Sequence, residues 1–393
     1  MHKKLSLLML LSFLLAIIFS NYFPEIVINS KFLGDYFIRL LKAFVPFLIF
    51  GTITYSIASF DAFSKIGKIV PLTLFFYIIS TLIAITFALL VGSYIDFGST
   101  DFNLQGNFVS KQIDIGTSLS VLSVNPKDFV SLLLDANPFA IMIFSITIGM
   151  LCRINSEYSN KTVYLLSKLN ILVITFTNYI MLLAPLAIFS LLGNLLIQVE
   201  NEMIYSLLRF VISSIIIFLL YLFLFYGLVV KYLGKVSPLA FFRKIKDPLL
   251  FAFFSSSSAA TMPLTLKVAE DDLKLNKEIS SFVIPIGVTV NMDGSAIYLG
   301  LAALFVGQIL GINFTYNEYL IICLTATIGS IGAAGVPSVA LVMMTIVFSS
   351  VGIPLEAIAI IAGVDRLLDM FRTSINVAGD LTISTVVNKI INK

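Results

Sequence analysis

The sequence predicts an all-α polytopic membrane protein, with eight transmembrane helices and two re-entrant helical hairpins arranged as inverted repeats. Three observations carry that expectation. Hydrophobic residues make up 59% of the 393-residue chain and charged residues 12%, far outside the range of a soluble domain. Apolar stretches of roughly 18 or more residues, each able to cross about 30 Å of hydrocarbon, recur from Leu5 almost to the C-terminus. Two further segments have apolar arms around polar, turn-forming centres and carry charge of one kind at both ends, so each enters and leaves the membrane on one side.

Loop charges order the elements, because short cytoplasmic loops are enriched in Lys and Arg. Lys3 and Lys4 start inside, and no small-residue cleavage site follows before Asn21, so 5–23 is expected to be a retained first helix. A second helix over 36–58 returns to Lys65 and Lys68. The third, 69–95, leads to the polar stretch 96–128 outside, and the fourth, 138–152, comes back to Arg153, Lys161 and Lys168. The fifth exits at Glu200 and Glu202; the sixth re-enters at Lys231 and Lys235. This alternation expects an inner (plasma) membrane protein with both termini cytoplasmic.

The segment 248–266 breaks the alternation, since basic residues flank it at 243–246 and again at 267–277. Its centre, SSSSAATMP (255–263), favours turns and caps, so a hairpin tipped by Ser255 to Ser258 is expected. Next, an apolar helix over 279–310 is interrupted by VTVNMDGSA (288–296), where Asn, Asp and Gly disfavour regular helix. A second hairpin, from the opposite face, lies between Glu318 and Glu356 with SIGAAGVPS (330–338) at its tip. The last helix follows. Hairpin and broken helix, then hairpin and polar helix, form an inverted repeat of topology that places a site near the bilayer midplane.

That last helix carries DRLLDMFRTSINVAGD (365–380), five charges in sixteen residues. At about 100° per residue, Asp365, Asp369, Arg372, Thr373, Asn376 and Asp380 share an arc of about 100°, and Asp369 and Asp380 stand roughly 16 Å apart along the axis. Each charge at a membrane helix centre costs about 2.5 to 3.5 kcal/mol, so a charged stripe must face partners, ions or water. Arg366, at the edge of the arc, is placed to satisfy Asp365. Asp369 and Arg372 also have the i, i+3 spacing of an ion pair within one helix.

Some function classes are excluded here. The single histidine, His2, rules out a Ser-His pair or a His metal cluster, so no catalytic residue is assigned. Asp293 and Asp380 read better as ion ligands than as a paired-Asp catalyst. A net charge of +3 spread over loops calls for no nucleic acid, and Cys152 and Cys323 make no disulfide framework. An ion channel remains a different class compatible with polar hairpins.

SSSSAATMP, NMDGSA (291–296), SIGAAGVP (330–337) and DMFRTSINVAGD (369–380) follow one another with the spacing of the glutamate/aspartate transporter family, the prokaryotic dicarboxylate/amino acid:cation symporters, and the chain resembles that family. The motif-bearing match covers roughly 240–390; the first six helices agree mainly in hydropathy, with Asn137-Pro138-Phe139 as a local anchor. The resemblance implies a homotrimer in lipid with an elevator-like transport domain. Residues 1–238 would be mainly scaffold, their third and sixth helices joining the transport domain, and 239–393 the transport core.

An amino acid needs an acid for its ammonium and donors for its carboxylates. Asp369 suits the ammonium; Arg372, a planar fork, suits a distal carboxylate. By resemblance, Asn376, Ser257 and Ser258 hold the α-carboxylate, with Ser295, Thr373 and the backbone of Val336 nearby. Hard cations want oxygen ligands. By resemblance, Asp293, Asn291, Ser80, Thr81 and the Tyr77 carbonyl form one Na⁺ site, and Asp380, Asn376 and the carbonyls of Gly287 and Asn291 another. Carbonyls of Thr289, Ser330, Ile331 and Ala333 form a third. No cofactor is expected beyond this coupling ion. A carboxylate can also serve a proton, so H⁺ coupling stays open. Within the family, having both Asp369 and Arg372 points to aspartate or glutamate over C4-dicarboxylates and neutral amino acids. Ser256 stands where archaeal members have Arg, and Phe371 replaces a commonly small residue, which leaves even a cystine-like substrate open.

Overall fold

The structure, a computed structural model, describes residues 2–59, 69–98, 138–154, 156–198, 202–331 and 339–392. The described residues form helices and no strand. The first helices are α1 (His2–Tyr22), α2 (Pro24–Asn29), α3 (Lys31–Ser59) and α4 (Ile69–Ser93), followed by α5 (Pro138–Ile154), α6 (Ser156–Met181) and α7 (Ala184–Gln198). Helix α8 (Glu202–Leu220) runs on through a π turn (Tyr221–Phe225), one α turn, α9 (Tyr226–Val229), and a second π turn (Val230–Gly234). Then come α10 (Pro238–Ser255), α11 (Ser258–Asp271), α12 (Lys277–Val290), α13 (Asp293–Ile309), α14 (Tyr316–Ile331), α15 (Val339–Ser350) and α16 (Ile358–Ile391).

Most elements lie where hydropathy puts them. One does not. The sequence expects a loop at Arg153 to Lys168 and a single fifth span, whereas helix α6 runs through Lys161 and Lys168 and stops at Met181. Leu182 and Leu183 donate tight i→i−3 bonds to Tyr179 and Ile180, and α7 starts with Pro185 in its first turn, where a missing N–H costs nothing. Ile69–Ser93, Met203–Gly234 and Lys277–Ile309, the last crossing a break, are long and apolar enough to span a membrane.

Chain breaks fall where polar residues interrupt apolar runs. Helix α10 ends at Ser256, whose left-handed backbone (φ 51°) turns the chain, and Ser257 caps α11 by accepting a bond from the Ala260 N–H at 3.2 Å. The two arms pack against each other and both lie on α16. Asn291 and Met292 separate α12 from α13. The second expected tip, with Ala333 and Val336, lies outside the described residues; its arms α14 and α15 pack together.

Helix α13 is the centre of one group of helices: every residue in it but Gln308 is buried, against α4, α8, α14, α15 and α16. A second group gathers around α3, which packs on α5, α6 and α7, while α1 lies along α7. The first group brings polar residues together; large apolar side chains such as Leu165, Leu172 and Phe176 are exposed on the second.

At Gly294 the chains of α13 and α16 approach closely: a Cβ there would run into the Arg372 main-chain carbonyl, 2.9 Å from its carbon. Backbone cannot yield as a side chain does. Gly294→Ala is expected to destabilise the fold by about 1 to 3 kcal/mol; an unchanged melting midpoint in detergent would disprove this close approach.

Candidate substrate and cation site

Helix α16 is one unbroken rod, and its polar stripe turns inward. Asp365, Asp369, Arg372, Thr373, Asn376 and Asp380 are all buried. Arg372 sits among carboxylates of its own helix: Nε donates to Asp369 Oδ1 at 3.0 Å, Nη2 to the same oxygen at 2.5 Å, and Nη1 to Asp365 Oδ1 at 3.3 Å. Its guanidinium also lies over the Tyr298 ring of α13, 4.7 Å from the centroid. The charge is thus neutralised sideways and covered by an aromatic face. Such a pair is costly to break, about 3 to 5 kcal/mol when one partner is lost.

Arg366 does not satisfy Asp365, as the helical angles suggested. Its Nη1 lies 3.7 Å from Asp369 Oδ2, and the arginine that reaches Asp365 is Arg372, two turns further on. A long side chain leaning back along the helix outranges its nominal angle. Phe371 faces away from the polar stripe, edge-on to Phe253 of α10 with centroids 5.0 Å apart, so it does not fill the space around Arg372. Beside it, the Ser374 hydroxyl donates to the Leu249 carbonyl of α10 at 3.0 Å.

One turn along, the break between α12 and α13 meets this stripe. Asn376 Oδ1 accepts the Gly294 N–H at 2.8 Å, one of the donors a helix start leaves free, and its amide lies 3.1 Å from Met292 Sδ. Asn291 bridges in two directions. Its amide donates to Asp380 Oδ1 at 3.0 Å, and its side-chain oxygen takes a 3.4 Å bond from Ser80 of α4. Gly287 leaves room here, since a Cβ would overlap the Asp380 carboxylate and the Tyr77 hydroxyl and push them aside.

Asp293, fully buried at the start of α13, collects hydroxyls. Thr81 and Ser80 donate to Oδ1 at 2.7 and 3.2 Å, and Tyr226 and Tyr221 to Oδ2 at 2.8 and 3.1 Å. The Tyr77 carbonyl, bonded by Ser80 at 3.1 Å, closes this nest. Hydroxyls can turn. The Ser80 and Thr81 oxygens that now donate to Oδ1 would present lone pairs to a hard cation when their protons rotate away.

The other expected residues stay nearer home. Ser258 is buried behind the first tip; Ser257 is spent on its cap; Ser295 is directed at Met292 Sδ, 3.9 Å away. Thr373 bonds the Asp369 carbonyl at 2.8 Å. Thr289 and Ser330 bond carbonyls of their own helices, at Ile286 and Thr327, while Ile331 ends α14. Sequence reading missed Tyr221, Tyr226 and Tyr298. Their only signal is a phenol in an otherwise apolar span, where a buried hydroxyl needs a partner.

Residues 5–390 match the model of the sodium:dicarboxylate symporter family. A proton/sodium-glutamate symport protein of Geobacillus stearothermophilus is 29% identical over 95% of this chain and 90% of its own. A proton/glutamate-aspartate symporter of Bacillus subtilis is 26% identical over 99% and 95%. Excitatory amino acid transporter 3 of Mus musculus is 35% identical over 72% of this chain, which spans 55% of that longer protein. With nearly all of its residues inside that family match, the chain belongs to the sodium:dicarboxylate symporter family of membrane transporters, and is not an enzyme.

Proposed function

We propose that the chain is a sodium-coupled symporter of an acidic amino acid, aspartate or glutamate, working by elevator-type alternating access. The observation that carries this is the buried Arg372–Asp369 pair, with Asp365 behind it and two further buried carboxylates in oxygen-rich surroundings, Asp380 on the same stripe and Asp293 at the start of α13. Binding is an exchange of partners. A zwitterion with a second carboxylate brings an ammonium to Asp369 and an anion to Arg372, so neither buried charge is left uncovered when their mutual bond opens. A C4-dicarboxylate would pair Arg372 but abandon Asp369, and a neutral amino acid would do the reverse. The names of the bacterial relatives, with glutamate and aspartate as substrates, support the same choice.

In this reading Asn376, Ser257 and Ser258 take the α-carboxylate, with Ser295, Thr373 and the backbone of Val336 closing around the ligand. Sodium ions travel with it as cargo. One takes Asp293, Asn291, Ser80, Thr81 and the Tyr77 carbonyl, another Asp380, Asn376 and the carbonyls of Gly287 and Asn291. A third takes carbonyls of Thr289, Ser330, Ile331 and Ala333. The hydroxyls converging on Asp293 support sodium over a bare proton, which needs no such shell.

Eight spans and two re-entrant hairpins, an inner-membrane location with both termini inside, and a homotrimer complete the reading. The division at about residue 238, with α4 and α8 counted with the transport core, is supported by α4 packing on α13 rather than on α3. The family resemblance supplies the trimer and the elevator.

Purified protein reconstituted in liposomes, with sodium and proton gradients imposed separately, tests the whole. Labelled aspartate or glutamate is expected to accumulate uphill under the sodium gradient alone. Accumulation only under a proton gradient would replace the coupling ion, and dissipative flux with no accumulation would mean a channel. Arg372→Thr is expected to cut acidic substrate affinity by about 100-fold or more and to admit a small neutral amino acid; unchanged affinity would overturn the carboxylate assignment. For Asp293→Asn, the sodium concentration for half-maximal uptake should rise at least about tenfold, as expected for losing a charged ligand. An unaltered sodium curve would remove Asp293 from the ion path.

A further inference from the structure

Asp293 rests on two tyrosines from the helical run Glu202–Gly234, and none of the site assignments above includes them. Both are fully buried, as is the carboxylate they bond. Positions five apart on a regular α-helix diverge by about 140°, so Tyr221 and Tyr226 would face different neighbours there. The chain between them is wound as a π turn, Tyr221–Phe225, with hydrogen bonds from i to i+5. Residues five apart then stand about one turn above each other, and both hydroxyls reach the same oxygen, Asp293 Oδ2.

The surroundings hold this arrangement in place. The Tyr221 and Tyr226 rings meet edge to face, 5.1 Å apart, and Phe225 stacks on Tyr221 at 4.6 Å. Opposite, α16 presents Gly379, where a Cβ would collide with the Tyr226 hydroxyl and with the Asn291 amide. The bare backbone of α16 leaves the room the phenol occupies. The two hydroxyls are not equal. Tyr226 gives its proton to Asp293 at 2.8 Å, whereas the single proton of Tyr221 is shared between Asp293 Oδ2 and the Ser80 carbonyl, 2.9 Å away.

We infer that Tyr226, seconded by Tyr221, is a positioning residue for cation coupling: held by the π turn of the sixth span, the tyrosine pair pins one oxygen of Asp293 so that the other faces Ser80 and Thr81. This rests on the reading of Asp293 as a cation ligand. Pinning leaves one carboxylate oxygen oriented before the ion arrives, which raises affinity without the tyrosines touching the ion. Because the substrate pair at Asp369 and Arg372 belongs to another part of the stripe, substrate affinity at saturating cation is independent of the two phenols.

Tyr226→Phe and Tyr221→Phe are compared with the wild type in full-length protein reconstituted in liposomes, reading cation activation and, separately, half-saturation for aspartate at saturating cation. Tyr226→Phe is expected to raise the half-activating sodium concentration about tenfold, as for loss of a hydrogen bond to a charged group. Tyr221→Phe should raise it less, and aspartate half-saturation should stay within about twofold for both. Leu224→Ala, at an exposed position of the same π turn, should leave the sodium curve where it was. An unchanged curve in Tyr226→Phe, or an equal shift in Leu224→Ala, overturns the assignment. Should a proton gradient drive the wild type instead, the sodium reading fails, and the tyrosine assignment is judged by the same ratios on the proton curve. If no cation drives uptake, both fall.

Discussion

Ionisable groups are costly to place in hydrocarbon, and the packing around α16 can be understood as the consequence of housing four of them on one rod. Asp365, Asp369, Arg372 and Asp380 are out of reach of solvent and cannot all be satisfied by α16 itself. Arg372 takes care of the first two carboxylates. The rest of the stripe imports partners from elsewhere: an amide from the break at Asn291, a backbone N–H from Gly294, an aromatic face from Tyr298. Each of these comes from α12 or α13, which is why that pair of half-helices is drawn so close that two glycines are needed at the contact.

The break itself is the device that makes this supply possible. A continuous helix would spend its backbone donors internally, whereas the start of α13 frees the Gly294 N–H, and Asn291 at the end of α12 can send its two polar atoms to two different nests. Asp380 and Asp293 are therefore linked through two side chains, the Asn291 amide and the Ser80 hydroxyl.

Much of this was legible in the sequence because it rests on residue types that announce themselves. NMDG in an apolar run marks the interruption within a residue or two, SSSS marks the first tip, and the angular coincidence of Asp365, Asp369, Arg372, Asn376 and Asp380 marks the buried face of α16. Pairing was less legible. Helical angles put Arg366 beside Asp365, but long side chains choose partners by reach along the axis, and Arg372 takes that place. Tyr221 and Tyr226 were hidden for another reason: a π turn shifts the phase of the helix, and no residue in YLFLFY signals the extra residue per turn. The split between α6 and α7 falls inside uniformly apolar sequence, where only Pro185 hints at it.

The contact between α10 and α16, made by the Ser374 hydroxyl on the Leu249 carbonyl and by Phe253 against Phe371, sets a fixed gauge. It ties α10, the arm that leads into the tip at Ser257 and Ser258, to the rod that carries Asn376 and Arg372. If that tip and Arg372 hold one ligand, as proposed, the distance between the two jaws is set by this helix contact, and an extra methylene would have to be absorbed by bending of the ligand or by the wall opposite.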